Sequence, residues 1–282
     1  MHGSIHVRRL ALVLFLLLSA AAAPALGQTP QAAPQQAFQP HVGQGGKDVV
    51  WVPTPDGLVG KMLEMAKVTP DDFVIDLGSG DGRTVIAAAK RGARALGVEY
   101  NPDMVELSRQ NAEKAGVADR VEFVKADLFE TDLSKATVVT LFLLPDINLK
   151  LRPKLLDLAP GTRIVSNTFT MADWEADETA GVGPGCTAWC NALMWIVPAK
   201  VAGTWTAGDG ELRLGQDFQK VSGTLRRGST TTAIGEGRLR GDRISFTAGG
   251  TSYTGTVNGP RIEGTAVTGS ASVPWTATRA GQ

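Results

Sequence analysis

The rhythm of apolar and polar positions changes several times along the chain. An apolar run near the start, Leu10 to Ala23, broken only by Ser19, is followed from Gln28 to Asp48 by a stretch rich in Gln, Ala, Pro and Gly with little to bury. A third regime begins near Trp51. Leu58, Met62, Leu63 and Met65 give an apolar face to a helix over Gly57–Ala66, with Asp56 as its cap. Phe73–Leu77 is a short apolar run of the length of a buried strand, and Thr84–Lys90 has helical composition. A second strand is predicted over Ala93–Glu99. Asn101 and Pro102 form a cap and first-turn pair for a helix over Asp103–Ala115, stopped by Gly116. Val121–Asp127 makes a third strand. Ala136–Leu144, apolar on both faces, makes a central one. A helix over Leu149–Leu158, ended by Pro160-Gly161, and a fifth strand over Thr162–Thr170 complete the pattern. Strands alternating with helices predict an α/β fold with a parallel, doubly wound sheet.

From Ala202 the period shortens. Gly203–Thr206, Glu211–Leu214, Val221–Leu225, Arg238–Leu239, Arg243–Phe246, Ser252–Val257, Arg261–Ala266 and Val273–Thr278 are short alternating stretches separated by glycine-containing turns. They predict a small antiparallel all-β appendage, a sandwich or a barrel, with lipocalin-like closure suggested by Trp205 near its start and Trp275 near its end. Such a unit would bind an envelope partner, hold a small apolar ligand or cap the sheet.

The amino end changes the picture of where the protein works. His6-Val7-Arg8-Arg9 is a basic prelude to an apolar run too short for a comfortable membrane span, and Ala25-Leu26-Gly27 offers small residues for cleavage before Gln28. The expected organisation is a signal peptide over 1–27, a disordered linker over 28–48, a main domain over 49–200 and the β domain over 201–282. The expected location is outside the cytoplasm, in the periplasm once the signal is cleaved. An uncleaved anchor is the competing reading, and both Sec and twin-arginine export stay open as routes. No cysteine follows the apolar run, which excludes a lipoprotein.

Composition removes several chemistries. Formal net charge is zero, so overall charge suggests no nucleic-acid partner. The histidines are His2, His6 and His41, all outside the main domain, which excludes Ser-His-Asp triads, Cys-His pairs and histidine-ligated metals there. The cysteines, Cys186 and Cys190, are too few for a closed zinc site and are either bridged or free.

The candidate chemistry sits where the first strand ends. Asp76-x-Gly78-x-Gly80-x-Gly82 joins that strand to the next helix, with Ser79 inside the turn. Such a turn offers backbone N–H groups and the positive end of a helix to a ligand. A dinucleotide fingerprint would carry glycine where Arg83 stands. The motif instead resembles that of class I S-adenosylmethionine-dependent methyltransferases. That resemblance implies a Rossmann-like methyltransferase sheet, with Asp76, Gly78, Ser79, Gly80 and Gly82 around the amino-acid end of S-adenosyl-L-methionine. Glu99, at the end of the second strand, lies at the spacing of a ribose-binding acid. The resemblance further places Tyr100 and Asn101 along the adenine, although Asn101 also reads as a helix cap. It puts Asp127 at the adenine amino edge and counts Leu128 and Leu144 among the cofactor contacts. It also has Thr54 close over the cofactor, unless that segment only covers the core.

The runs Trp51-Val52-Pro53-Thr54-Pro55, Asp76 to Arg83, Gly97 to Pro102, Leu143-Leu144-Pro145, Leu151 to Leu155 and Pro160 to Ser166 are similar to a narrower group of small bacterial and mitochondrial protein-lysine methyltransferases. The mitochondrial members act on the ATP synthase c-subunit and the adenine nucleotide translocase. One departure is Asn167, where the group would have His. The chemistry implied is in-line transfer of a methyl group to a nucleophile on a protein or small molecule, protein lysine leading. Asp146, Asp173 and Glu175 are the carboxylate candidates for assisting deprotonation, with Asp146 the chosen catalytic residue. The competing reading is an exported nucleoside-binding module without turnover. Neither reading requires a metal, a nucleic acid or a stable membrane span after signal cleavage, and the oligomeric state is left open.

Overall fold

A computed structural model describes residues 1–3, 38–183 and 186–281. The expected signal segment lies outside the described residues apart from its first three. Eleven elements of the described residues build the main domain: α1 (Asp56–Met65), β1 (Phe73–Leu77), α2 (Arg83–Lys90), β2 (Arg94–Glu99), α3 (Pro102–Lys114), β3 (Val121–Lys125), β4 (Val138–Leu141), α4 (Pro145–Leu156), β5 (Arg163–Asn167), β6 (Glu178–Gly181) and β7 (Asn191–Ile196). The strands form one sheet in the order β3-β2-β1-β4-β5-β7-β6. β1 to β5 run parallel, whereas β7 runs antiparallel to β5 and β6 antiparallel to β7. Chain order reverses between β1 and β4, the switch point at which open α/β sheets leave a crevice beyond their carboxyl ends.

Alternate residues of β1 feed opposite layers, as the strand period requires. Val74 packs with Leu58, Leu63, Val85 and Val105 from α1, α2 and α3. Ile75 and Leu77 pack with Ile147, Leu151 and Leu155 from α4 and with Trp174 and Trp195. Both faces are dry, which is why β1 and β4 read as continuous apolar runs rather than alternating ones.

Four elements differ from expectation. α4 begins at Pro145, four residues early, because proline is favourable at the first helical position and Leu144 is the residue before it. α1 begins at Asp56 behind Pro55, so Asp56 sits in the first turn and supplies no side-chain cap. β6 and β7 are additions that the sequence pattern does not announce. The loop between them carries a disulfide joining Cys186 and Cys190, whose Cα atoms are 5.9 Å apart.

The C-terminal strands β8 (Gly203–Ala207), β9 (Gly210–Asp217), β10 (Lys220–Arg227), β11 (Thr230–Arg240), β12 (Arg243–Ala248), β13 (Thr251–Asn258), β14 (Arg261–Thr268) and β15 (Ala271–Arg279) close into an antiparallel barrel. All the alternating stretches of the sequence fall within these strands. Closure comes from Arg279 and Thr278 of β15 pairing with Trp205 and Thr206 of β8. Side chains fill the interior, among them Trp205, Leu212, Leu239, Ile244, Phe246 and Tyr253. Trp205 is fully buried and its indole N–H donates to the Val201 carbonyl at 2.8 Å. Trp275 is only half-buried and packs edge-on against Phe246 and Tyr253.

The barrel is held against the sheet. Phe218 stacks on Trp174 with ring centroids 5.8 Å apart, and the Arg152 guanidinium lies 5.3 Å from the Phe218 centroid. The Gln219 amide donates to the Glu175 carbonyl at 2.8 Å, and Lys220 pairs with the Glu175 carboxylate at 2.8 Å. Arg238 of β11 reaches the buried carboxylate of Asp177 at 2.7 Å, and Arg240 pairs with Glu178. The other Asp177 oxygen accepts from the Ile196 N–H, so this carboxylate is doubly engaged. Exposed ion pairs contribute little singly, which leaves the Phe218–Trp174 stack and buried Asp177 as the main holding points. Phe218→Ala is expected to split thermal unfolding, followed by calorimetry, into separate barrel and sheet transitions. A single transition at unchanged temperature would contradict this docking.

Candidate functional site

The crevice at the switch point is a cleft of about 1030 Å³ including its open mouth. Its floor is the turn after β1. Gly78, Gly80 and Gly82 all have positive φ, at 78°, 54° and 82°, a region costly for side-chain-bearing residues. At Gly80 a Cβ would lie 2.6 Å from the Trp51 indole nitrogen, so the turn also needs glycine for want of space. Gly82 serves a different purpose. It ends the turn as the residue before α2, and a Cβ there would meet the Phe123 ring at 2.8 Å and Ser108 at 2.9 Å. Gly82 is therefore a packing contact beneath the floor and does not line the cleft, a correction to its expected role.

Asp76, at the end of β1, is buried on the cleft wall. Its carboxylate accepts from the Thr140 hydroxyl at 2.6 Å and is within hydrogen-bond reach of Thr84. Burial pushes this carboxyl up to about 7, helped by the nearby negative charges of Asp81 and Glu99 and opposed by the hydroxyl bonds. No cation pairs with it among the described residues. A carboxylate so placed suits a ligand that brings its own positive charge. Ser79 is buried in the same turn and its hydroxyl has no partner among the described residues. Together they fit the amino-acid end of S-adenosylmethionine, which offers an ammonium and a carboxylate.

Glu99, at the end of β2, joins the floor to the side wall. One carboxylate oxygen accepts from the Gly80 N–H at 3.0 Å and the other from the Asn101 N–H at 2.9 Å. Each oxygen keeps a lone pair for a ligand hydroxyl. Asn101 lines the cleft and is also the cap of α3, its side chain accepting from the Asp103 N–H at 2.9 Å. Beyond β3, Asp127 and Leu128 stand on the wall. Asp127 accepts from the Phe129 N–H and from Lys47 at 2.5 Å, and the Lys47 contact holds its carboxyl below the usual carboxylate range. Lys47 also lies 5.1 Å from the centroid of the exposed Tyr100 ring.

Lys47 belongs to the stretch expected as disordered linker. From Phe38 onward that stretch is described, and Gln44 to Thr54 forms one continuous wall of the cleft. Backbone bonds fold it into a small loop: Gly43 donates to Trp51, Trp51 to Gln44 and Gly46 to Val49. Composition does not reveal it because main-chain bonds, not apolar burial, shape the loop. Thr54 is buried and lines the cleft, so its segment both covers the core and closes the site. Its hydroxyl accepts from the Asn167 amide at 3.3 Å, and its carbonyl accepts from Arg83 at 3.0 Å. Arg83 is in turn held by Asp81 through two bonds, at 3.0 and 2.6 Å. The residue that spoils the dinucleotide fingerprint thus fastens the wall to the floor.

Two expected residues lie elsewhere. Leu144 and Asp146 are exposed at the start of α4 and do not line the cleft; Ile147 of the same turn does. The early start of α4 turns Asp146 outward. The other carboxylate candidates are also occupied, Asp173 by Arg152 and Glu175 by Lys220. Asn167 is fully buried and fixes Thr54, a positioning contact with no proton to exchange. Sequence reasoning gives no role to Lys47, Arg83 or Phe142, of which Phe142 lines the cleft just after β4. Arg83 has a signal, its place in the turn; Lys47 has none.

Comparison with known proteins gives a consistent result. A family model described as the ANTKMT methyltransferase domain matches residues 76–178. A protein-lysine N-methyltransferase from Saccharolobus islandicus is 49% identical over 140 residues, covering 49% of this chain and 87% of that protein. The adenine nucleotide translocase lysine N-methyltransferase of Mus musculus is 39% identical over 127 residues, 44% of this chain and 55% of that protein. Among solved structures, an RNA methyltransferase from Salinibacter ruber in complex with S-adenosyl-L-homocysteine is 50% identical with a TM-score of 0.50, covering 53% of this chain and 96% of that one.

The Gly80 geometry makes a direct prediction. Gly80→Ala is expected to cost about 1–2 kcal/mol of stability through the left-handed backbone alone and to weaken S-adenosylhomocysteine binding by displacing Trp51. Gly80→Arg is expected to abolish that binding in calorimetry while far-ultraviolet circular dichroism stays native-like. Undiminished affinity in the arginine variant would remove this turn from the site.

Proposed function

This chain belongs to the family of S-adenosylmethionine-dependent protein-lysine methyltransferases, and from that premise we propose that it transfers the methyl group to the side-chain amine of a protein lysine. The observation that carries the cofactor half is the buried carboxylate of Asp76 beside the glycine turn, which no cation among the described residues neutralises. Asp76 would face the cofactor ammonium, the Gly78–Gly80 backbone its carboxylate, Glu99 its ribose hydroxyls, and Asp127 with Leu128 the adenine edge. Lys47 shares the Asp127 oxygen and must yield or share it when adenine arrives. Tyr100 and Asn101 would flank the base, and Thr54 would close over the cofactor. The bound cofactor supplies a methyl group on a sulfonium, an intrinsically good leaving group.

The protein's own work is alignment and exclusion of water. A lysine arrives protonated, and the amine must lose that proton before its lone pair is a nucleophile. Asp146, Asp173 and Glu175 stand outside the cleft, so the proton passes to solvent. The apolar surroundings of Phe142, Leu143 and Ile147 favour the neutral amine by withholding hydration from the charged form. Relatives named as lysine methyltransferases support the acceptor class. The disulfide between Cys186 and Cys190 supports the exported reading, because such bonds persist in oxidising compartments.

Incubating the full chain with S-adenosylmethionine carrying a labelled methyl group, and separately with envelope protein and with RNA, tests the acceptor. Label recovered on lysine by mass spectrometry is expected, and label confined to RNA would overturn the lysine assignment. A second expectation concerns pH. Below about pH 7 the free protein carries a proton on Asp76, and binding a cation there must expel it. S-adenosylmethionine affinity should therefore fall by up to about tenfold per unit below pH 7, with proton release detected by calorimetry in buffers of different ionisation enthalpy. Asp76→Asn should flatten that profile.

A further inference from the structure

Three aromatic rings meet beside the cleft, one of them in its wall. Phe142 follows β4, Phe169 follows β5, and Trp189 comes from the loop between β6 and β7. Phe142 and Phe169 are stacked with centroids 5.9 Å apart and planes at 21°. Trp189 stands 5.8 Å from Phe142 at 63° and 5.3 Å from Phe169 at 46°. Phe142 is also part of the cleft wall, so the cluster adjoins the cleft through it.

Two features separate this cluster from ordinary packing. Trp189 retains 40% of its surface exposed and both phenylalanines are only half-buried, whereas Trp174, Trp195 and Trp205 are fully buried. The backbone that carries two of the rings is also held in an unfavourable form. Thr168 has φ 61° and is the centre of a turn in which the Phe169 N–H donates to the Asn167 carbonyl at 2.6 Å, the rarer and strained kind of γ-turn. Trp189 has φ 56°, an outlier for a bulky side chain. Conformations of this kind persist only where the surroundings over-determine them, and they gather at ligand-binding sites. Here the surroundings are identifiable: the Cys186–Cys190 bridge closes the loop around Trp189, and the Thr168 N–H donates to the Asn191 carbonyl at 2.7 Å, tying the two segments together.

We propose that Phe142, Phe169 and Trp189 form the subsite that receives the acceptor, gripping the aliphatic stem and amine head of a lysine side chain. The inference rests on the lysine reading above and specifies its site. Aromatic faces attract an ammonium group as it approaches, and the same rings strip water from it. Once the proton has left to solvent, the nitrogen lone pair forms the new N–CH₃ bond while the S–CH₃ bond breaks and its electron pair stays on sulfur. The products are a methylated ammonium and the neutral thioether. The disulfide is a positioning element that acts through Trp189.

The test uses the full chain with S-adenosylhomocysteine bound and n-butyltrimethylammonium as the probe, since it presents an alkyl stem and a cationic head without depending on turnover. Calorimetry should show binding that Trp189→Ala weakens about tenfold, that Trp189→Phe largely restores, and that Cys190→Ser also weakens, with S-adenosylhomocysteine affinity within about twofold of wild type throughout. Equal probe affinity in wild type and Trp189→Ala would overturn the subsite. In parallel, KM for a synthetic peptide carrying one lysine should rise about tenfold in Trp189→Ala with kcat less affected. Methylation of the peptide with unchanged KM in the variant would reject the subsite and leave the lysine reading standing. Methylation of RNA alone would reject both.

Discussion

A single carboxylate joins the two loops on which the site depends. Glu99 accepts one backbone N–H from the turn after β1 and another from the start of α3, at 3.0 and 2.9 Å. The first bond keeps Gly80 in a left-handed conformation that the backbone would not otherwise hold uniquely; the second sets the angle at which α3 leaves the sheet. A glycine turn is intrinsically loose, because glycine loses more freedom on folding than any other residue. Anchoring it from a rigid strand end turns that freedom into a defined cradle. The anchoring bonds leave lone pairs on both oxygens, so one group organises the cleft and can still meet a ligand.

The same economy of anchoring appears around the rim. Arg83 links the floor to the Thr54 segment, and Asn167 links that segment to β5. Neither side chain needs to touch a ligand to matter for one. The cleft is thus assembled from segments far apart in sequence, with Lys47 and Asp127 separated by 80 residues yet in direct contact.

Elements set by burial on both faces are legible in the sequence. Phe73–Leu77 reads with its observed bounds, and the cap role of Asn101 follows from the Asn-Pro pair. The barrel strands are legible because alternation marks them, although only Arg238–Leu239 of β11 stands out. A register shift between Gly235 and Arg238 interrupts the pattern there. Pro145 misleads because proline marks both loops and helix starts, and it draws Asp146 into the site with it. β6 escapes a sequence reading since it is a half-exposed edge strand of small and polar residues, and β7 escapes with it. The Gln44–Trp51 loop has no compositional mark at all, being built from main-chain bonds. Asp76, Glu99 and Asp127 near strand ends are therefore readable, whereas Lys47, supplied by a loop folding back, is not.

The barrel has consequences for a part of the molecule far from any chemistry of its own. β6 is the last strand of its sheet, and an unpaired strand edge invites addition of a foreign strand. Arg238 and Arg240 reach across to Asp177 and Glu178, at the very start of that strand. A closed barrel has no edge of its own to offer in exchange. These two pairs tie the barrel to the start of the sheet's last strand, and being partly exposed they are contacts that salt would loosen.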